Sequence, residues 1–185
     1  MRGLVFITLS ISLCTSALAA EPVVKTPPQQ ASAIAQEFAG LLKPKLKAAM
    51  VAGGPTKAIE VCAAVAPAIA DSLSEQSGWN VKRVSLKSRN ASRAVPDEWE
   101  RAVLIEFNRR NSAGEAAASI SFGETVGDQY RYMQAQGVET MCLTCHGKGL
   151  SDEVQETLHQ YYPDDWATGY SLGEVRGAIS LSRPL

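Results

Sequence analysis

The five residues Cys142-Leu143-Thr144-Cys145-His146 constrain this chain more than any other stretch. Two thiols three positions apart, followed at once by an imidazole, are the attachment signature of a c-type haem. The thiols add across the two vinyl groups of the porphyrin, and the histidine reaches the iron from the same side. A fold carrying this motif has to close around a flat ring and present a second ligand, or an open position, on the opposite face. Two rival uses of the pattern fit less well. A Cys-X-X-Cys redox pair wants a strand-helix-strand setting that the sequence does not show, and a zinc site wants a second pair of ligands.

The N-terminus directs the chain to the compartment where such attachment occurs. Arg2 precedes an apolar run from Leu4 to Leu13, and Ala17-Leu18-Ala19 supplies the small residues of a cleavage site. This pattern predicts a signal peptide over 1–19 and a periplasmic mature chain. The run is short of the roughly 20 apolar residues that span a bilayer, so the mature chain is not expected to be membrane-spanning. Leu13 stands in front of Cys14 where lipidation wants a small residue, so a lipid anchor is not expected either. Cleavage removes Arg2 and Cys14 and leaves 17 Lys and Arg against 19 Asp and Glu. So small a net charge gives no grip on a phosphate backbone, and nucleic acid is not an expected partner. With 45% apolar and 20% charged residues, the chain has the composition of one globular domain. Three cysteines remain, Cys62, Cys142 and Cys145, an odd number that cannot all form disulfides in an oxidising compartment.

The hydrophobic pattern around the motif predicts an α+β fold. Pro22, Pro27, Pro28, Gln29 and Gln30 suggest an extended lead over 20–30, ahead of a haem-binding domain over 31–185. Ile34, Phe38, Leu41, Leu42, Leu46 and Met50 recur at helical spacing, with Pro44 expected to kink or split the segment and Gly53-Gly54 to end it. Pro55 opens a second helix whose apolar stripe includes Ala58, Val61, Cys62, Val65 and Ile69, and Pro67 should bend it beyond Cys62. Cys62 therefore faces the core. Val81 to Lys87 reads as a strand, and Asp97 with Glu100 forms a capping-box start to a helix carrying Trp99, Val103 and Phe107, with Trp99 expected in the core. Period-two alternation marks strands through Ala118, Ile120 and Phe122 and through Val175, Gly177, Ile179 and Leu181, with Tyr130 and Tyr132 hinting at a third. A short helix from about Ser151 lies between the motif and the last strand. Helices followed by strands in this order predict an antiparallel sheet flanked by helices.

Two questions about the site stay open at this level. Lys82, Arg83, Lys87, Arg89 and Arg93 form a basic stretch without an acid. It reads either as a solvated face or, beside a haem, as a source of guanidiniums such as Arg83 and Arg89 for the anionic propionates. For the far side of the iron, spacing offers Met50, Met133, His159 and Cys62, with Met/His being the usual electron-carrier pair. His159, between Leu158 and Gln160 on a polar helix, has a plain surface reading.

A wider set of residues resembles a known family. The set comprises Cys62 with Pro67; Gly78-Trp79, Val81, Arg83 and Ser85; Arg89-Asn90, Pro96-Asp97 and Trp99-Glu100. It continues with Cys142-Leu143 and Cys145-His146-Gly147, and ends with Tyr162-Pro163, Asp165, Ala167, Gly169-Tyr170, Gly173 and Arg176-Gly177-Ala178. These positions are similar to those of exported single-haem c-type domains with a PAS-like fold, found alone or as the sensing part of bacterial signal-transduction proteins. The sequence departs from that pattern at Ala91, where the family has Pro, and at Arg93, in a loop one residue longer. The resemblance implies a PAS-like antiparallel sheet with one covalently attached haem c, held by Cys142 and Cys145 with His146 and Cys62 as axial ligands.

Three functions follow as expectations. The first is a periplasmic sensor of redox poise or of a small gas ligand, which passes its signal to a separate signalling or redox partner protein. The second is an electron-transfer cytochrome c. The third, an enzyme acting on a sulfur compound or peroxide, lacks an acid-base constellation, and a catalytic function is not expected.

Overall fold

The computed structural model describes residues 25–185, so the stretch 1–19 read as a signal peptide and the first part of the expected lead lie outside the described residues. The first element, α1, runs Pro27–Ser77 and is interrupted by non-helical dihedrals at Gly53 (φ −159°) and Gly54 (φ 68°). The break falls where the Gly53-Gly54 pair predicts it, because Gly54 holds a left-handed conformation that costs glycine little. Two expectations are corrected here. The extended lead does not reach Gln30, since Pro27 to Gln30 form the first helical turn, with the Gln30 amide donating to the Thr26 carbonyl at 2.9 Å. Proline is welcome there because the first turn leaves its amides unpaired in any case, and Gln29 Oε1 accepts from the Thr26 amide at 2.9 Å. The chain also keeps helical dihedrals through Pro44 and does not split there.

Four strands, β1 (Asn80–Val84), β2 (Ser121–Val126), β3 (Gln129–Gly137) and β4 (Val175–Pro184), form one antiparallel sheet in the order β1-β4-β3-β2. The fold is thus α+β, as the element order predicts. Strand β1 stops three residues earlier than expected, and Ala117–Ser119 is a 3-10 turn that delays β2 to Ser121. The two faces of the sheet carry different cores. On one, Phe38 and Leu42 of the first arm of α1 and Ile69 and Leu73 of the second pack on Val81, Tyr132, Ile179 and Leu181. Among the described residues, α1 alone is long and apolar enough to cross a membrane, and this packing gives its apolar stripe an internal use.

On the other face lies α2 (Glu98–Ser112), whose Val103, Leu104 and Phe107 meet Val84, Ile120, Met133, Val175 and Ala178. Its capping box forms as predicted: the Glu100 amide donates to Asp97 Oδ1 at 2.8 Å, and the Asp97 amide donates to Glu100 Oε2 at 2.9 Å. Glu100 is fully enclosed, yet satisfied by Lys82 Nζ at 2.9 Å and the Ser180 hydroxyl at 2.6 Å. Trp99 is only half-buried at the edge of this core, where its indole N–H donates to Glu124 at 2.7 Å and Arg131 stacks over its ring at 4.3 Å. Beyond β3 the chain makes a short turn of helix, α3 (Leu143–His146), then α4 (Asp152–Tyr161), and returns as β4. Val154 and Leu158 of α4 pack on Ile59 of α1, which joins the chain after the motif to the arm that carries Cys62.

The alternation read across Val175 to Leu181 is interrupted. Gly137 of β3 pairs with Val175 and Gln136 with Gly177, so β4 holds one extra residue, Arg176. Such a bulge re-aims the side chains around it. Accordingly Val175 and Ala178, three residues apart, both pack against α2. Gly177 makes this possible, because a Cβ there would lie 2.5 Å from the Val84 carbonyl oxygen at a φ of +154°. Gly177→Ala is expected to cost about 1–3 kcal/mol of stability through backbone strain and this contact, measured as a thermal midpoint several degrees lower.

Candidate functional site

One cavity opens between the sheet and α1, and Cys62, Arg83, Arg89, Cys142, Cys145 and His146 all line it. These six residues are therefore gathered in one place from four separate segments. The three cysteines form no disulfide and stand as free thiols. Cys62 comes from the second arm of α1, a separate element from the motif. Its thiol is pushed up by burial, with Arg83, Arg176 and Arg89 pulling the other way. Without an electrophilic partner it is protonated at neutral pH.

His146 is prepared as a ligand by its surroundings. Its Nδ1 lies 2.7 Å from the Ala167 carbonyl oxygen. A carbonyl only accepts, so Nδ1 carries the proton and Nε2 keeps its lone pair. Burial first, and then the positive charges of Arg176 and Arg89, hold the imidazole well below its ordinary pKa, so the ring is neutral. The segment that supplies this carbonyl is itself tied to the motif. Tyr170 and Gly169 donate backbone N–H groups to the carbonyls of His146 and Gly147, each at 2.9 Å.

Arg89 serves this scaffold. Its guanidinium is paired with Asp165, at 3.1 Å from Nε to Oδ1 and 3.0 Å from Nη2 to Oδ2, and Nη2 also donates to the Cys145 carbonyl at 2.5 Å. Asp165 Oδ1 in turn accepts the Ala167 amide at 2.8 Å. Arg89 thus fixes the turn that bears Cys145 and His146, and its Nη1 lies 3.5 Å from His146 Nε2. Of the two arginines expected to meet propionates, Arg83 is the one without a carboxylate. Its Nε donates to Gln136 at 3.2 Å, and burial together with Arg176 draws its pKa down to about 10.

The competing ligand candidates separate by position. Met133 is fully enclosed in the core on the opposite face of the sheet and cannot reach the cavity. His159 is exposed on α4 outside the cavity. Met50 and Met141 line the cavity, Met141 beside the first motif cysteine. Sequence reasoning missed Arg176, Gln136, Tyr162 and the Asp165–Ala167 segment as site components. Arg176 reads as outward-facing in a regular strand, and the one signal against that reading is the glycine that follows it, since glycine inside a strand often marks a bulge.

The arrangement suits a flat, anionic, thiol-reactive ring better than a bare metal. Among the described residues, no three His, Cys, Asp or Glu side chains converge to hold an ion directly. Two thiols, a neutral imidazole and a third thiol from another element surround a space whose charged lining is entirely cationic, and Arg176 Nε is buried there without a partner. This donor set fits a haem c.

The fold and site define a class: an α+β domain with a cavity between sheet and helix, bearing a Cys-X-X-Cys-His turn on its rim. The chain belongs to the Tll0287-like family, whose sequence model matches residues 19–184. It is similar in fold to the crystal structure of the cyanobacterial heme-protein Tll0287, with a TM-score of 0.62 and 24% identity over 86% of this chain and 97% of that one. No curated protein sequence matches it.

Proposed function

We propose that this is a periplasmic single-haem c-type protein of PAS-like fold that senses redox poise or a small gas ligand. Cys142 and Cys145 would carry the haem by thioether bonds, His146 would bind the iron through Nε2, and Cys62 would bind it from the other side. The observation that carries this reading is the meeting, in one cavity, of the Cys-X-X-Cys-His turn with a third thiol on a separate helix. The haem itself supplies an iron centre that changes charge by one electron and binds small ligands. Tll0287 is described as a heme-protein, which supports the cofactor.

Cys62 is what favours a sensor. A thiolate favours ferric iron, and the free thiol, which the buried site keeps protonated, is the form Cys62 takes once it is released. Reduction, or a gas competing for its place, therefore favours release of Cys62. The Gly53–Gly54 break sets the arm that bears Cys62 apart from the first arm of α1, and the two arms pack into one core on the sheet. The Cys62 arm can respond without unwinding the first arm, giving a two-state element that a partner protein can read. An electron carrier is the second reading. It is favoured by Met50 on the cavity wall, because Met/His ligation is the carrier's usual arrangement.

Low-temperature EPR of the ferric protein, matured with haem in the periplasm, separates the two. Thiolate ligation predicts a low-spin signal with a compressed g-spread. A wide spread typical of Met/His or bis-His ligation would return Cys62 to a packing role and put the carrier first.

A further inference from the structure

We propose that Arg176, delivered to the cavity by the β4 bulge, holds the haem propionates together with Arg83. This inference rests on the haem reading above and adds a cofactor-binding residue to it.

The argument begins with charge. The cavity is lined by Lys82, Arg83, Lys87, Arg89, Arg93 and Arg176, and by no Asp or Glu. Lys82, Arg89 and Arg93 are balanced from outside the lining, by Glu100, Asp165 and Asp71. Lys87 lies 4.9 Å above the Tyr170 ring and donates to the Thr168 carbonyl at 3.4 Å. Arg83 and Arg176 are left without any carboxylate within ion-pair distance among the described residues. Burying an unpaired cation is costly. Two partly buried guanidiniums facing no acid therefore call for an anionic ligand with two charges. A haem c brings two carboxylates, and each matches the fork of one guanidinium.

The backbone is shaped to place Arg176 there. A regular strand would put residue 176 on the α2 face, beside Ala178. The extra residue opposite the Gln136–Gly137 step turns it toward the cavity instead. Its carbonyl is fixed by the Ser85 hydroxyl at 2.6 Å and by the Tyr170 hydroxyl at 3.3 Å, so the bulge is held from both sides. The side chain it carries is then partly buried, with its Nε enclosed and unpartnered. Gln136, which sits opposite Gly177 in the sheet, accepts from Arg83 Nε and orients the second fork.

The test uses the holoprotein and its Arg176→Met, Arg83→Met and Arg176→Lys variants. Haem attachment is first read on the denatured chains. A native chain without attached haem would overturn both this inference and the haem reading. With haem attached, resonance Raman should show the propionate-bending band displaced in Arg176→Met and in Arg83→Met. The pH dependence of the midpoint potential supplies a second readout. In the native protein the guanidiniums keep both propionates ionised, so the only proton taken up on reduction is that of the released Cys62 thiol, and the redox equilibrium constant should change by at most about tenfold per pH unit between pH 5 and 8. In Arg176→Met a propionate also becomes protonated on reduction within that range, and the change should steepen by up to about a further tenfold per pH unit. Arg176→Lys keeps the charge and should restore the native profile while still displacing the band. A band and a pH profile in Arg176→Met identical to the native ones, with haem attached, would overturn the assignment while leaving the haem reading intact.

Discussion

Replacing Cys142 and Cys145 together by serine is expected to abolish covalent haem attachment, so that the haem-stained band of the denatured protein disappears completely. The expectation follows from chemistry. A hydroxyl is a far weaker nucleophile than a thiol toward a vinyl group, and Cys62, the remaining thiol, lies on α1, outside the Cys-X-X-Cys-His turn. Serine is close to cysteine in size, and both positions are only partly buried, so packing should change little. The larger structural effect would come from charge. Any chain without bound haem leaves Arg83 and Arg176 partly buried in the cavity with no carboxylate partner, and its thermal midpoint should fall below that of the native holoprotein. A haem-stained band of native intensity in the double variant would remove the c-type assignment.

Cys62→Ala should give the next largest change. Loss of an anionic ligand removes the preference for ferric iron. The midpoint potential should rise by a substantial part of the roughly 0.8 V range over which axial ligands tune haem, and the ferric low-spin spectrum should change class. The substitution is mild for the fold. Alanine is the best helix former, the site is half-buried, and the neighbouring positions on α1 already include Ala58, Ala63 and Ala66. Met133→Leu provides the contrast, since Met133 lies in the α2-side core. It should leave potential and spectrum alone and alter only stability, by less than about 1.5 kcal/mol. An unchanged potential and spectrum in Cys62→Ala would overturn the ligand-switch mechanism.

The legible parts of this protein are those written in side chains. The Cys-X-X-Cys-His spacing, the stripe that turns Cys62 inward, the Asp97–Glu100 capping box and the Gly53-Gly54 break can all be read from residue identity, and each has its counterpart in the structure. The missed features are carried by the backbone or depend on long-range pairing. The carbonyl of Ala167, which sets the tautomer of His146, has no sequence signature, because every residue has a carbonyl. Arg89 looks like a propionate ligand until Asp165, far along the chain, is found beside it. Arg176 looks solvated under strict alternation, and one extra residue in β4 reverses its direction. The lead failed for a local reason: Pro27 and Pro28 resemble a linker, yet at the first two positions of a capped helix they are favourable.

The separation of Cys62 from the motif has a mechanical consequence. About 80 residues lie between Cys62 and Cys142, a span that includes β1, α2, β2 and β3. Joined through a shared haem, these two cysteines would close a loop nearly as long as the sheet-forming half of the molecule. By the loop-entropy estimate used for disulfides, such a cross-link contributes about 4–5 kcal/mol against unfolding. Unlike a disulfide, this staple would open with a single electron and close again on oxidation. The reduced chain would be the more easily unfolded and proteolysed of the two, and the lifetime of the protein would then report the redox history of its compartment.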